Sequence, residues 1–142
     1  MTRARLVLVV VLVLVAAGLG WLVLSRRPAP SGADTPQAAV ETFYRALGGR
    51  DTATACAMSA YAGRPLAGDD LVLCRSGFDA VVAQVAEADE LAALRSTTVS
   101  GATVDGDHAS VRADQMTGVP TAYRRDVSLV RVDGHWFIDT PG

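Results

Sequence analysis

The two cysteines of the chain, Cys56 and Cys74, could bind a metal ion, act as a redox pair or form a disulfide. A structural zinc site needs about four ligands at short paired spacings, and a thioredoxin-like redox pair needs the C-x-x-C spacing. Neither pattern occurs in this sequence. In an oxidising compartment, a disulfide here would close a loop of about eighteen residues and stabilise the fold by about 3 kcal/mol in the chain-entropy model. We therefore predict a disulfide, with two free buried thiols as the alternative.

The two histidines and two acidic stretches are the other candidates for catalysis or metal binding. His108 and His135 each follow an Asp-Gly turn signal, where an exposed side chain is expected; a pH-sensing or catalytic role is the alternative. The G-x-S-x-G pattern of serine hydrolases is absent. The acidic stretches 67–70 and 87–90 lack the alternating oxygen ligands of a calcium loop. The sequence thus predicts no catalytic residue, no metal ion and no cofactor.

The compartment of the cysteines follows from an apolar segment near the N-terminus. Residues 6–24 carry no charged or strongly polar side chain, and a helix of that length spans about 30 Å, the thickness of a bilayer's hydrocarbon core. Two arginines flank the segment on each side, and Trp21 lies near its second boundary, where indole rings are enriched. We predict an uncleaved transmembrane anchor. The alternatives are a cleaved signal peptide, whose apolar run is usually shorter, and a buried core helix.

The flanking sequence predicts the orientation and the domain boundaries. A short tail, residues 1–5, is easier to retain in the cytoplasm than a whole domain, so we expect a single-pass protein of the cell membrane with its C-terminal domain extracytoplasmic. Residues 25–35, rich in proline and small residues, form a linker, and residues 36–142 form one domain. That domain has nine arginines against fourteen acidic residues, which argues against nucleic acid as a partner.

The first part of this domain shows helical periodicity. A helix is expected to begin at Pro36 with Thr35 as its N-cap, because proline suits the first turn of a helix. Apolar residues then recur at i, i+3, i+4 and i+7, which is one helical face: Val40, Phe43, Tyr44 and Leu47. The stretch "GGRD", residues 48–51, ends this helix.

Two further helices are expected before the pattern changes. Asp51 can cap a short second helix that runs to about Ala60, and residues 61–70 are expected to form a loop. A third helix is expected from Asp70 to near Leu94, with one face formed by Leu71, Cys74, Phe78, Val81, Val82 and Val85. The predicted disulfide would tie the second helix to the third.

After Arg95 the period of the apolar residues changes from 3.6 to 2, which is typical of strands. Asp105-Gly106 and Asp133-Gly134 are the turn signals of two β-hairpins, and residues 116–122 form a looser link between them. Helices followed by antiparallel strands predict an α+β fold, with three helices packed on one face of a curved four-stranded antiparallel sheet.

This pattern resembles the NTF2-like superfamily, which has the cystatin-like fold. The likeness lies in the helix "PQAAVETFYRALGGRD", the short second helix with its cysteine, the third helix and hairpins such as "LVRVDGHWFID". More narrowly, the chain resembles small single-anchor extracytoplasmic NTF2-like proteins of actinobacteria. The resemblance covers residues 36–140 and implies a cone-shaped α+β fold with a pocket between sheet and helices. It implies no single activity, because the fold hosts isomerases, dehydratases, transport factors and inert modules.

The resemblance also directs attention to residues that could line such a pocket. In NTF2-like enzymes an acid or histidine on the sheet, opposite a tyrosine, transfers a proton at a carbon next to a carbonyl. Asp114 matches that role poorly, because its strand parity is opposite to that of Val111. Core aromatic residues with satisfied polar groups are the alternative interpretation of Tyr44 and Trp136. The candidate pocket residues are Phe43, Tyr44, Phe78, Asp114 and Trp136.

We expect a non-catalytic binding or accessory module of the cell envelope, which binds a partner protein or a small apolar ligand. The first alternative is an enzyme of isomerase or dehydratase type, which predicts a deep pocket with a carboxylate or histidine of perturbed pKa. The second alternative is a structural spacer or a dimerisation module, which predicts no pocket and a large self-interface. A homodimer could also form through Ala16 and Gly20 of the anchor, whose spacing fits close helix packing in lipid.

Overall fold

The computed structural model of the protein describes residues 32–84 and 87–142. The predicted tail 1–5, the predicted anchor 6–24 and most of the predicted linker 25–35 lie outside the described residues. In the part of the chain that is described, no helix combines the length and the apolar content that crossing a bilayer requires.

Helix α1, Pro36–Gly48, begins and ends where the sequence predicts. The Thr35 hydroxyl accepts a hydrogen bond from the Ala38 backbone N–H at 3.1 Å, and Pro36 lies in the first turn. Gly48 lies against another part of the fold, because a Cβ atom there would be 2.6 Å from both the Leu91 carbonyl oxygen and the Arg95 backbone nitrogen. Helix α2, Thr52–Ala57, follows, and the Asp51 carboxylate accepts a hydrogen bond from Thr54 N–H at 3.0 Å.

The predicted third helix, 70–94, is two helices, so the fold has four described α-helices instead of three. Helix α3 spans Asp69–Gln84 and helix α4 spans Ala88–Arg95. Glu87, which precedes α4, has the extended dihedral angles φ −68° and ψ 154°, which a continuous helix does not allow. Helix α3 packs against α2, whereas α4 packs against α1. No glycine or proline marks this break, which is why the sequence pattern missed it.

Within the described residues, the main sheet has six strands and is mixed. Four of them form the predicted antiparallel meander: β4 Thr103–Asp105, β5 His108–Val111, β7 Val127–Val132 and β8 His135–Thr140. Strand β1, Ser59–Tyr61, pairs with β8 in parallel, and β2, Arg64–Pro65, pairs with β1. The predicted four-stranded sheet was therefore incomplete, and part of the predicted loop 61–70 is a hairpin. Strands of two or three residues are too short to show a period of two.

A second, smaller sheet and two short 3₁₀ helices complete the described elements. Strand β3, Thr98–Val99, pairs with β6, Met116–Thr117, although 116–122 was predicted as a link without strands. The 3₁₀ helices span Ala113–Gln115 and Thr121–Tyr123. Both predicted hairpins form. Asp133 and Gly134 have φ values of 51° and 83°, as a type I′ turn requires, whereas the first turn is shifted by one residue to Gly106 and Asp107.

The main hydrophobic core lies between α1 and the inner face of the sheet. It includes Val40 and Tyr44 from α1, Leu94 from α4, and the inward strand residues Ala109, Val111, Val127, Leu129 and Trp136. Ile138 packs against this core, so Val127, Leu129, Trp136 and Ile138 share the inner face of the sheet. A smaller cluster of Ala60, Val130 and Phe137 lies on the opposite face of the sheet.

The predicted disulfide between Cys56 and Cys74 is present. It joins α2 to α3, with the two Cα atoms 6.0 Å apart. Cys56 is fully buried, whereas most α3 side chains are exposed, Val72 and Leu73 among them. Besides the disulfide, α3 is held by Phe78, by Val82 and by a 2.7 Å hydrogen bond from the Thr52 hydroxyl to the Asp79 carboxylate.

Candidate ligand-binding cavity

A cavity of about 670 Å³ opens between the helices and the inner face of the sheet. Helix α1 contributes Phe43, Tyr44 and Leu47, and helix α3 contributes Phe78, Val81 and Val82. The remaining wall comes from α4, from residues 122–128 and from residues 138–141 at the end of β8. Small-molecule sites are concave and about 300–1,000 Å³ in volume, so this cavity is large enough for a small organic ligand.

The helical side of the cavity is aromatic and aliphatic. The rings of Phe43 and Tyr44 meet edge to face with centroids 5.4 Å apart, and those of Phe43 and Phe78 do so at 5.8 Å. Such arrangements contribute about 0.5–1.5 kcal/mol beyond the area that they bury. They connect α3 to α1 through the wall of the cavity, so the shape of the cavity depends on the position of α3.

The hydroxyl group of Tyr44 is a polar feature of this wall. It donates a hydrogen bond to the Tyr123 carbonyl oxygen at 3.3 Å, and the Tyr123 hydroxyl donates to the Glu90 carboxylate at 3.2 Å. Burial raises the pKa of Tyr44 above its ordinary value of 10.0, and the positive charge of Arg125 partly opposes this rise. Tyr44 therefore remains a neutral donor at physiological pH.

The raised pKa of Tyr44 predicts a loss of stability in alkaline solution. An unfolded tyrosine releases its proton near pH 10.0, whereas folded Tyr44 retains it, so folding is opposed as the pH rises past that value. We expect the free energy of unfolding, measured in urea, to fall more steeply between about pH 9 and about pH 11 in the natural protein than in Tyr44→Phe. Tyr61→Phe, at an exposed position outside the cavity, is the control and should keep the natural slope. Equal slopes in all three proteins would contradict the prediction.

Two carboxylates and one guanidinium group belong to residues of the wall. Asp126 accepts a hydrogen bond from Ala113 N–H at 2.8 Å, and Asp139 accepts one from Gly63 N–H at 2.9 Å. Both carboxylates are thus engaged with the backbone of neighbouring segments. Arg125 is exposed, and within residues 32–84 and 87–142 its side chain forms neither an ion pair nor a hydrogen bond.

The structure brings three of the five candidate pocket residues together. Phe43, Tyr44 and Phe78 line the cavity, whereas Asp114 and Trp136 do not. Asp114 lies in a 3₁₀ helix after β5 has ended, so strand parity does not apply to it, and it forms an exposed bidentate ion pair with Arg112 at 3.0 Å. Trp136 is buried in the main core, and the Arg131 guanidinium carbon lies 5.4 Å from the centroid of its ring.

The charged part of the cavity is not indicated by the sequence pattern. Residues 122–126 fall between a 3₁₀ helix and β7, where no periodicity indicates which side chains face inward. One signal was available, because Arg124-Arg125 is the only pair of adjacent arginines in residues 36–142. The two side chains differ in the structure: Arg124 donates to the Val119 carbonyl oxygen at 2.9 Å, whereas Arg125 lies at the cavity.

The other residues considered for chemistry lie apart from the cavity. His108 is exposed at the first hairpin, and His135 Nδ1 lies 3.6 Å from an Asp34 carboxylate oxygen. Among the residues that the structure describes, no group of three or more His, Cys, Asp or Glu residues could hold a metal ion.

No protein-family model, curated protein or solved structure matches this chain. The NTF2-like resemblance therefore stays a prediction that depends on the sequence pattern alone.

Proposed function

We propose that residues 36–142 form an NTF2-like, non-catalytic binding domain that holds a small apolar ligand in the cavity. In this proposal residues 6–24 anchor the domain in the cell membrane, with the domain outside the cytoplasm. The observation that carries the proposal is the cavity itself, about 670 Å³ in volume, with aromatic and aliphatic walls from three helices. Each methylene group that moves from water into such a site contributes about 0.8 kcal/mol.

The arrangement of polar groups favours binding over the two alternatives. An isomerase or dehydratase needs a carboxylate or histidine that reaches the substrate, whereas one oxygen of Asp126 and one of Asp139 are engaged with backbone N–H groups and both histidines lie elsewhere. A spacer module predicts an interior filled by its own side chains, which a cavity of this size does not support. The disulfide suits a domain outside the cytoplasm, where such bonds persist.

A matched pair of substitutions on α3 tests whether the cavity binds apolar molecules. Val81 lines the cavity, while Val72 is an exposed residue of the same helix that lies outside it. We expect the neutral dye N-phenyl-1-naphthylamine to gain fluorescence with the natural protein. Val81→Trp should weaken this binding about tenfold because the indole fills the site. A tenfold increase in the dissociation constant corresponds to a loss of about 1.4 kcal/mol in binding free energy. Val72→Trp should leave binding unchanged.

Thermal unfolding of the three proteins provides the control for folding. Val81→Trp and Val72→Trp should both unfold cooperatively, so that lost fluorescence reports the site and not the fold. Absence of dye binding to the natural protein, or equal binding by both variants, would refute the proposed function.

A further inference from the structure

We propose that the ligand of this cavity is a single-chain amphiphile with an anionic headgroup, whose negative charge pairs with Arg125 while its chain lies against the aromatic wall. The inference rests on the binding function proposed above and assigns the chemical class of the ligand. It depends on three observations: the apolar helical wall, the absence of a partner for Arg125 among the described residues, and the engagement of one oxygen of each wall carboxylate with the backbone.

The position of Arg125 fits an anionic group at the mouth of the cavity. Its side chain is exposed, so the charge stays in contact with water, while the adjoining wall of Phe43 and Phe78 is apolar. The Arg125 charge also acts on the buried Tyr44 hydroxyl, whose pKa it lowers against the effect of burial. A ligand can therefore place an anion near Arg125 and an apolar chain beside Tyr44 without burying an unpaired charge.

Each acidic residue of the wall uses one carboxylate oxygen to hold a neighbouring backbone segment. The Asp126 carboxylate accepts a hydrogen bond from the Ala113 N–H at 2.8 Å, and the Asp139 carboxylate accepts one from the Gly63 N–H at 2.9 Å. A cationic headgroup would approach Arg125 as a like charge, and each carboxylate could offer it only the oxygen that the backbone does not use. The arrangement thus discriminates between amphiphiles by the sign of the headgroup.

Three probes with the same chain length test this inference: laurate and dodecyltrimethylammonium, each below its critical micelle concentration, and lauryl alcohol below its solubility limit. Displacement of bound N-phenyl-1-naphthylamine gives their dissociation constants. We expect laurate to bind about tenfold more tightly than lauryl alcohol, as a charge-assisted hydrogen bond to a guanidinium group implies, and dodecyltrimethylammonium to bind most weakly. Dodecyl phosphate distinguishes a phosphate monoester from a carboxylate, and tight binding of either supports the anionic class.

A matched pair of variants, each of which removes one positive charge, locates the effect. Arg125→Gln should weaken laurate binding about tenfold and leave lauryl alcohol unchanged, which separates loss of the ion pair from loss of the fold. Arg75→Gln removes the same charge from an exposed position of α3 outside the cavity. It should change neither the dissociation constant of laurate nor that of lauryl alcohol.

The outcomes separate the inference from the proposed function. Equal binding of laurate and lauryl alcohol, unaffected by Arg125→Gln, would overturn the anionic ligand class while the cavity still binds apolar molecules. Preference for dodecyltrimethylammonium would also overturn it. Failure of every probe, the neutral dye included, would refute the proposed function itself.

Discussion

Reducing the Cys56–Cys74 disulfide should lower the free energy of unfolding by about 3 kcal/mol, because the bond closes a loop of about eighteen residues. The effect should be large for this protein because the bond is a principal attachment of α3, in which most side chains are exposed. Urea unfolding with and without dithiothreitol, followed by circular dichroism, measures the difference. Unfolding should move to a lower urea concentration when the bond is reduced.

The double variant Cys56→Ala/Cys74→Ala is the control for this experiment. It should unfold near the midpoint of the reduced natural protein and should not respond to dithiothreitol. Alanine is preferred to serine because Cys56 is fully buried, and a buried hydroxyl without a partner would add its own loss of stability. If thiol titration shows complete reduction and the natural midpoint is unchanged, the disulfide does not stabilise the fold.

Hydrogen exchange should show where this loss of stability acts. Without the bond, the backbone amides of α3 should exchange faster, and their rates should rise by a larger factor than those of α1, which packs in the main core. Because Phe78, Val81 and Val82 line the cavity, release of α3 should also weaken binding of N-phenyl-1-naphthylamine. Uniform acceleration in both helices would indicate global destabilisation and would contradict a local role for the bond.

Replacing Gly48 with alanine should destabilise the protein by about 2–3 kcal/mol, because the new methyl group meets backbone atoms. This value is near the upper end of the usual cost of overpacking a protein core. The Cβ position lies 2.6 Å from the Leu91 carbonyl oxygen and from the Arg95 nitrogen, and neither can move without shifting α4. Chemical unfolding gives the change directly.

Gly77→Ala is the matched control, since it makes the same substitution in another helix. A Cβ atom at Gly77 meets nothing within 4 Å, so the variant should be more stable by about 1 kcal/mol through helix propensity. Opposite signs for the two substitutions are the expected result. A loss of stability at Gly77 equal to that at Gly48 would show that contact with α4 is not the cause.

Features that depend on local sequence could be predicted. The Thr35 cap, the stripe of Val40 and Tyr44, and the turn at Asp133-Gly134 each follow from neighbouring residues, and the structure contains all three. The pairing of β1 with β8 could not be predicted, because it joins Ser59 to Ile138 across most of the domain and involves only three residues of β1. The start of α4 after Glu87 has no glycine or proline signal in the sequence either, and α4 packs against α1.

The same distinction applies to the cavity. Phe43, Tyr44 and Phe78 were found because they lie on helical stripes, whose period shows which side faces inward. Asp114 and Arg125 lie in or beside irregular segments, where the inward direction depends on long-range contacts. The residues that helices contribute to a site can therefore be predicted from the sequence, whereas Arg125, the charged group at the mouth of the cavity, could be located only from the structure.

The short outer strands of the main sheet have a consequence for solubility. One edge strand, β2, has two residues and ends in Pro65, which has no N–H to offer, and the other, β4, has three residues and ends in Asp105. Short edges that carry proline or charge pair poorly with strands of another molecule. The described sheet is thereby protected against aggregation through its edges, even where many copies are crowded together.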